Sequence, residues 1–145
     1  MKLFDFYSWA TGSMSEFANR FQDTPALQQK AKIFWRGMES NSLFFFLIFI
    51  VIGILVAETY YKDFSNKTGR KYHPKYWALF GGIALILTFF ITFIFESFML
   101  NDDISGAQSI EWIIASVNTL YAAIIYFFTS VFCCRFQTTS AYRLF

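Results

Sequence analysis

Residues 43–57 read LFFFLIFIVIGILVA, from Leu43 to Ala57, without one polar side chain. The run continues through Glu58 and Thr59 to Tyr60 and Tyr61, which extends it toward the roughly 20 residues a helix needs to cross a hydrocarbon core. Tyrosine rings suit the headgroup level, so Tyr60 and Tyr61 read as an interfacial belt. Two more runs of this kind follow. Tyr76–Leu100 carries Glu96 as its one charged side chain, and Trp112–Cys134 carries none. All three are continuous rather than alternating and longer than the ~10-residue strands of a membrane barrel, so they read as helices.

Composition supports the same conclusion. Apolar residues make up 56% of the 145, aromatic residues 23%, and phenylalanine alone fills 21 positions. Charged residues are 15%, against about 25% in a soluble domain. A water-soluble fold this small cannot bury so much apolar surface. Disorder is excluded on the same ground, and two cysteines are too few for a disulfide scaffold. A net charge of +2 argues against a nucleic-acid partner.

The fold class is therefore an all-α integral membrane protein, three transmembrane helices preceded by two amphipathic N-terminal helices. Residues 1–42 form the amphipathic region, 43–61 the first transmembrane helix, 62–75 a basic loop and 76–100 the second helix. Residues 101–111 form an acidic loop, 112–134 the third helix and 135–145 a short basic tail. No signal peptide is expected, because the first residues lack an apolar segment with a small-residue cleavage site.

On a helical wheel, residues 3–21 sort into two faces. Leu3, Phe6, Tyr7, Ala10, Met14, Phe17, Ala18 and Phe21 share one; Asp5, Ser8, Gly12, Ser15, Glu16 and Asn19 share the other. Thr24-Pro25 then supplies an N-cap and a first-turn proline. The helix that follows places Leu27, Ala31, Phe34, Trp35 and Met38 opposite Gln29, Lys32 and Arg36. Such helices either lie in the membrane interface or pack as ordinary core faces; the sequence weighs equally for both.

Basic residues are distributed unevenly. Lys62, Lys67, Arg70, Lys71 and Lys75 fall between the first two helices, and Arg135 and Arg143 in the tail. Lys30, Lys32 and Arg36 precede the first helix. With three crossings, the positive-inside bias puts the C-terminus in the cytoplasm. A bacterial inner membrane is the expected location, an organelle membrane the alternative. Lys67, Arg70, Lys71 and Lys75 could also hold anionic headgroups, at about 1 kcal/mol per charge.

Candidate functional residues lie on two faces. Gly81, Ala84, Thr88, Thr92 and Glu96 form a small and polar stripe on the second helix, amid Leu87, Phe89, Phe90 and Phe93. Ser116, Thr119, Ala123 and Ser130 form a similar stripe on the third. Small faces let helices approach closely in lipid, so the second and third helices are expected to pair. The first, with only Gly53, is expected to be the more exposed. At 1.5 Å per residue, Glu96 lies about 6 Å and Asn118 about 9 Å below the same interface. A hydrogen bond from Glu96 to Asn118 or Ser116 is the expected consequence.

Glu96 suggests either a carboxylate ring lining a cation path in an oligomer or a carboxylate that snorkels or is held by Asn118. Glu58, four residues before Lys62, has the spacing of an ion pair. His73 is solitary. Cys133-Cys134 suits either acylation or packing at a helix end. No phosphate-binding glycine loop, no nucleophile with its base and no zinc spacing is present. No enzyme activity, cofactor or metal is expected.

Two functions remain: a structural subunit that oligomerises with itself or with other membrane proteins in the bilayer, and a pore- or channel-forming oligomer, including a membrane-disrupting effector, lined by Glu96 and the Thr88/Thr92 face.

Overall fold

The structure, a computed structural model, describes residues 3–21, 24–65, 74–99 and 108–136. Among these residues all regular structure is helical, with no strand. Three helices are long and apolar enough to cross a membrane, within Ser42–Phe64, Pro74–Phe98 and Ser109–Phe136.

The N-terminal arm is not one helix over 3–21. A 3₁₀ turn at Leu3–Phe6 leads into α1 (Ser8–Thr11), and α2 (Met14–Asn19) begins afresh after a break. Gly12 adopts φ 74°, a conformation that glycine alone enters without strain. Ser13 then caps α2: its hydroxyl accepts from the Glu16 backbone at 3.2 Å, and the Glu16 carboxylate accepts from the Ser13 backbone at 2.8 Å. The two bonds satisfy reciprocal donors at the helix start. The wheel could not register this break, because Tyr7 before it and Phe17 and Ala18 after it are all buried; Phe6, expected on that face, is 41% exposed, and Phe4 is buried instead.

Helix α3 (Pro25–Ser40) starts at the expected proline and ends at Asn41, after which α4 (Ser42–Thr59) begins almost at once. The junction is held by side chains. Asn41 Nδ2 donates to the Gly37 carbonyl at 3.0 Å, and Ser42 Oγ donates to the Glu39 carbonyl at 2.8 Å. Such local bonds satisfy carbonyls that a helix end leaves open. A π-helical turn, Tyr60–Ser65, extends α4 beyond the expected end at 61. Helices α5 (Pro74–Met99) and α6 (Gln108–Phe136) complete the chain, α6 starting earlier than the expected 112.

Helix α6 packs against both α4 and α5. The expected exposure order is thus reversed: α5, not α4, is the least buried of the three. One glycine accounts for this. A Cβ at Gly53 would lie 2.8 Å from Ile125 Cγ2 and 3.3 Å from the Ala122 carbonyl oxygen. Its absence lets α4 approach the α6 backbone, while Phe45, Phe49 and Ala57 turn inward beside it. Bulk on most of a helix does not prevent close packing along one line of it.

The arm and α3 lie at the end of the bundle where α4 and α6 begin. Phe4, Tyr7, Phe17, Ala31, Phe34, Trp35 and Met38 form one buried cluster with Phe45, Ile110, Ile114 and Val117. Trp35 meets Phe4 edge-on at 5.4 Å between ring centroids and Phe17 at 5.8 Å. Aromatic pairs of this kind add about 0.5–1.5 kcal/mol each beyond area burial. The amphipathic faces are core faces packed on the bundle. Trp9, 65% exposed, and Ile33, 60% exposed, are apolar side chains left outside.

Candidate functional site

The stripe on α5 is turned into the bundle. Ala84, Thr88, Thr92 and Glu96 are all fully buried, and Gly81 faces the Tyr126 ring, whose Cε1 would stand 3.1 Å from an added Cβ. The Thr88 hydroxyl donates to the Ala84 carbonyl at 2.8 Å. Around the stripe, Ile83, Ile86, Leu87, Phe90 and Ile91 are exposed. The spacing of four positions small and polar groups against α6, as one helical face requires.

The stripe expected on α6 lies partly off the contact. Ser116 is exposed, and its hydroxyl donates to the Trp112 carbonyl of its own helix at 2.7 Å. Thr119 does the same toward Ala115 at 2.8 Å; Thr119 and Ala123 sit half-buried at the edge, and Ser130 is fully buried. A serine that satisfies itself in this way needs no neighbouring helix, so its polarity does not mark a contact. The inward face of α6 is Ile110, Ile114, Ala115, Asn118, Ala122 and Tyr126.

Asn118 is the centre of that face. Its Oδ1 accepts from the Tyr7 hydroxyl at 2.5 Å, and its Nδ2 donates to Thr92 Oγ1 at 3.0 Å and to the Phe45 carbonyl at 3.2 Å. One buried amide thus joins the arm, α4, α5 and α6. Tyr121 adds a second attachment to the arm: its hydroxyl donates to the Phe6 carbonyl at 2.7 Å and accepts from the Trp9 indole at 3.1 Å. Burial, reinforced by Tyr121 and Glu96 nearby, pushes the Tyr7 hydroxyl well above the ordinary tyrosine value.

The expected bond between Glu96 and Asn118 or Ser116 is not formed. Asn118 bonds Thr92, one turn earlier on α5, and Ser116 faces outward. Both carboxylate oxygens of Glu96 are buried without a hydrogen-bond partner among the described residues. The acid whose charge acts on it is Glu111, only 9% exposed and in the first turn of α6 rather than in a loop. The sequence signal for Glu111 was its place within the Ile110/Ile114 spacing; nothing local marked Tyr7 as more than one aromatic among many.

The opposite end is held differently. The Tyr126 hydroxyl donates to the Trp77 carbonyl at 2.8 Å, and the Trp77 indole donates to Ser130 Oγ at 3.1 Å. Cys133 and Cys134 are buried among Tyr60, Tyr61, Trp77 and Phe80, with no disulfide between them. That placement is packing, without an accessible thiol. Glu58 and Lys62 pair at 2.8 Å as their spacing implies. Lys75 is exposed, its ammonium 5.1 Å from the Tyr76 ring centre. Lys67, Arg70, Lys71 and His73 lie outside the described residues. Among the described residues, no three His, Cys, Asp or Glu side chains gather as metal ligands would.

Among the described residues the chain is all-helical, its three longest helices are compatible with membrane insertion, and Thr88, Thr92, Glu96, Asn118 and Ser130 are buried inside the bundle. No protein-family profile matches it, and no curated protein or solved structure is significantly similar to it.

Proposed function

We propose that the chain is a non-enzymatic integral membrane protein acting as a structural subunit of a larger membrane assembly, with a second copy or another membrane protein as partner. The observation that carries this proposal is the inward turn of Thr88, Thr92 and Glu96. A ring pore lined by these residues needs them on the outer face of each subunit, yet they are buried within one chain. Outward-facing positions on α5 are instead bulky and apolar, as a surface facing lipid or another apolar helix requires. Gly82 is an exception: a Cβ added there would meet nothing within 4 Å, in a groove lined by Trp77, Leu85 and Phe127.

The test combines mass and flux. In mild detergent the protein is expected to run as an assembly heavier than its 17.0 kDa chain plus micelle. In liposomes, wild type and Glu96→Gln are expected to give equally low ion flux. Flux that depends on Glu96 would establish the pore instead, and a lone monomer would refute the subunit role. By the positive-inside bias, the basic residues between α4 and α5 support a cytoplasmic C-terminus; labelling of a tail cysteine from either side of a sealed membrane checks it.

A further inference from the structure

Glu96 is a side chain whose burial the packing does not explain. It is fully buried, and neither oxygen meets a donor among the described residues. Its neighbours are committed elsewhere. Asn118 spends its amide donors on Thr92 and Phe45 and its oxygen on Tyr7. The titratable groups that act with it are Glu111 from α6 and Tyr7 from the arm, with Tyr121 behind Tyr7. At this end α3 and α4 contribute Trp35, Met38 and Phe45, while Lys32 and Arg36 lie on the exposed side of α3.

We propose that Glu96, with Glu111 beside it, is a proton-binding site that the N-terminal arm seals from water. An ionised carboxylate with neither donor nor counter-ion among the described residues is costly in such surroundings. Two adjacent acids resist ionising together. The smallest ligand that relieves both costs is a proton. It comes from bulk water and adds to one carboxylate oxygen; one O–H bond forms, one negative charge disappears and no electron moves. A calcium ion would need six to eight oxygen ligands, and the Asn118 oxygen is already taken by the Tyr7 hydroxyl.

The seal follows from position. Tyr7 is fully buried and close enough to Glu96 to feel its charge, and the arm is fixed there by the bond from Tyr7 to Asn118. With the arm docked, the proton stays on; with it undocked, water reaches Glu96 and the proton leaves. By linkage, docking is then strengthened at low pH and weakened as pH rises.

Infrared difference spectroscopy on the full-length protein in bilayers, with carbon-13-labelled glutamate, tests this between about pH 5 and about pH 9, above the ordinary glutamate range. A protonated-carboxyl carbonyl band is expected to persist at neutral pH and to vanish in Glu96→Gln, the neutral isostere. In Glu111→Gln, where the like charge is gone, the band should titrate at lower pH. In Tyr7→Phe, with the seal loosened, it should do so too. Wild type without the band at neutral pH, or a band unchanged in folded Glu96→Gln, overturns the proposal. If Glu96→Gln does not fold, a band whose titration is unmoved by both Glu111→Gln and Tyr7→Phe overturns it equally.

Discussion

The bond between Tyr7 and Asn118 joins residues 111 positions apart, and its removal offers the sharpest test of how the arm is held. Tyr7→Phe deletes one hydroxyl from a fully buried ring and leaves Asn118 Oδ1 without that donor. Asn118→Leu keeps a similar volume but removes three bonds, to Tyr7, Thr92 and Phe45. Interhelical hydrogen bonds within membranes average about 0.6 kcal/mol and reach about 1.7. A buried polar group left unsatisfied costs a further ~1–3 kcal/mol. Tyr7→Phe should therefore cost about 1 kcal/mol and Asn118→Leu about 2–4. The double variant should cost less than the two together, because each single change strands a group that the other removes. Unfolding in mixed micelles of increasing denaturing-detergent fraction, followed by fluorescence of Trp35 in the arm-side core, gives the four energies. Single costs that add within about 0.5 kcal/mol, the tolerance for independent sites, would refute the bond as a structural pin.

The remaining predictions concern other parts of the bundle. Gly53→Ala should destabilise by about 1–3 kcal/mol, the usual cost of overpacking, because its Cβ would meet Ile125 at 2.8 Å; Gly82→Ala, with nothing within 4 Å, should be silent in the same titration. Cys133 and Cys134 should resist maleimide in the folded protein and react after denaturation, by virtue of their burial; prompt labelling of the native protein would contradict the packing. Burial raises the Tyr7 hydroxyl above its ordinary value. The part of arm docking that the Tyr7 hydroxyl supplies should therefore be fully present below about pH 10, the free tyrosine value, and be lost as pH climbs beyond it, seen as an added alkaline rise in the exchange of arm amides after correction for intrinsic rate. Tyr7→Phe should lack that alkaline limb. Ser13→Ala should loosen α2 by about 1 kcal/mol, the typical worth of a cap, measured by exchange at the amides of Phe17 and Ala18.

What the sequence disclosed and what it hid follow from one distinction. Ala84, Thr88, Thr92 and Glu96 were legible because a strict spacing of four stood out against phenylalanine and isoleucine. Asn118 was legible because depth arithmetic on antiparallel helices brings it level with that stripe. The partner was one turn off: an approximate depth fixes a level, not the rotamer that decides between Thr92 and Glu96. Ser116 misled because a hydroxyl can bond its own helix, so polarity in lipid does not imply a neighbour. The exposure of α4 misled because one glycine suffices for close approach. Tyr7, Tyr121 and the arm were hidden for another reason. Their bonds span 111 to 115 positions of chain, and no local pattern encodes such a distance.

These bonds also bear on how a bundle of bulky apolar helices selects one register. Lipid chains are as apolar as leucine, so the faces of α5 and α6 gain little merely by leaving lipid. Directional bonds must discriminate. On α5 the pins are Trp77 and Thr92, about 22 Å apart along the helix at 1.5 Å per residue. Their partners on α6, Ser130 with Tyr126 at one end and Asn118 at the other, span about 18 Å from Ser130 to Asn118. A slip of one turn, about 5.4 Å, would break Asn118–Thr92, Trp77–Ser130 and Tyr126–Trp77 together. Each bond alone is weak. Because they sit near opposite ends of one helix pair, no single slip can keep one and exchange another, and register becomes a cooperative property of both ends. Docking of the arm adds to this at one end only, through Tyr7 on the same Asn118. Loss of the arm should therefore loosen the α5–α6 contact around Thr92 before it affects the contact around Trp77, an order that residue-resolved amide exchange can read.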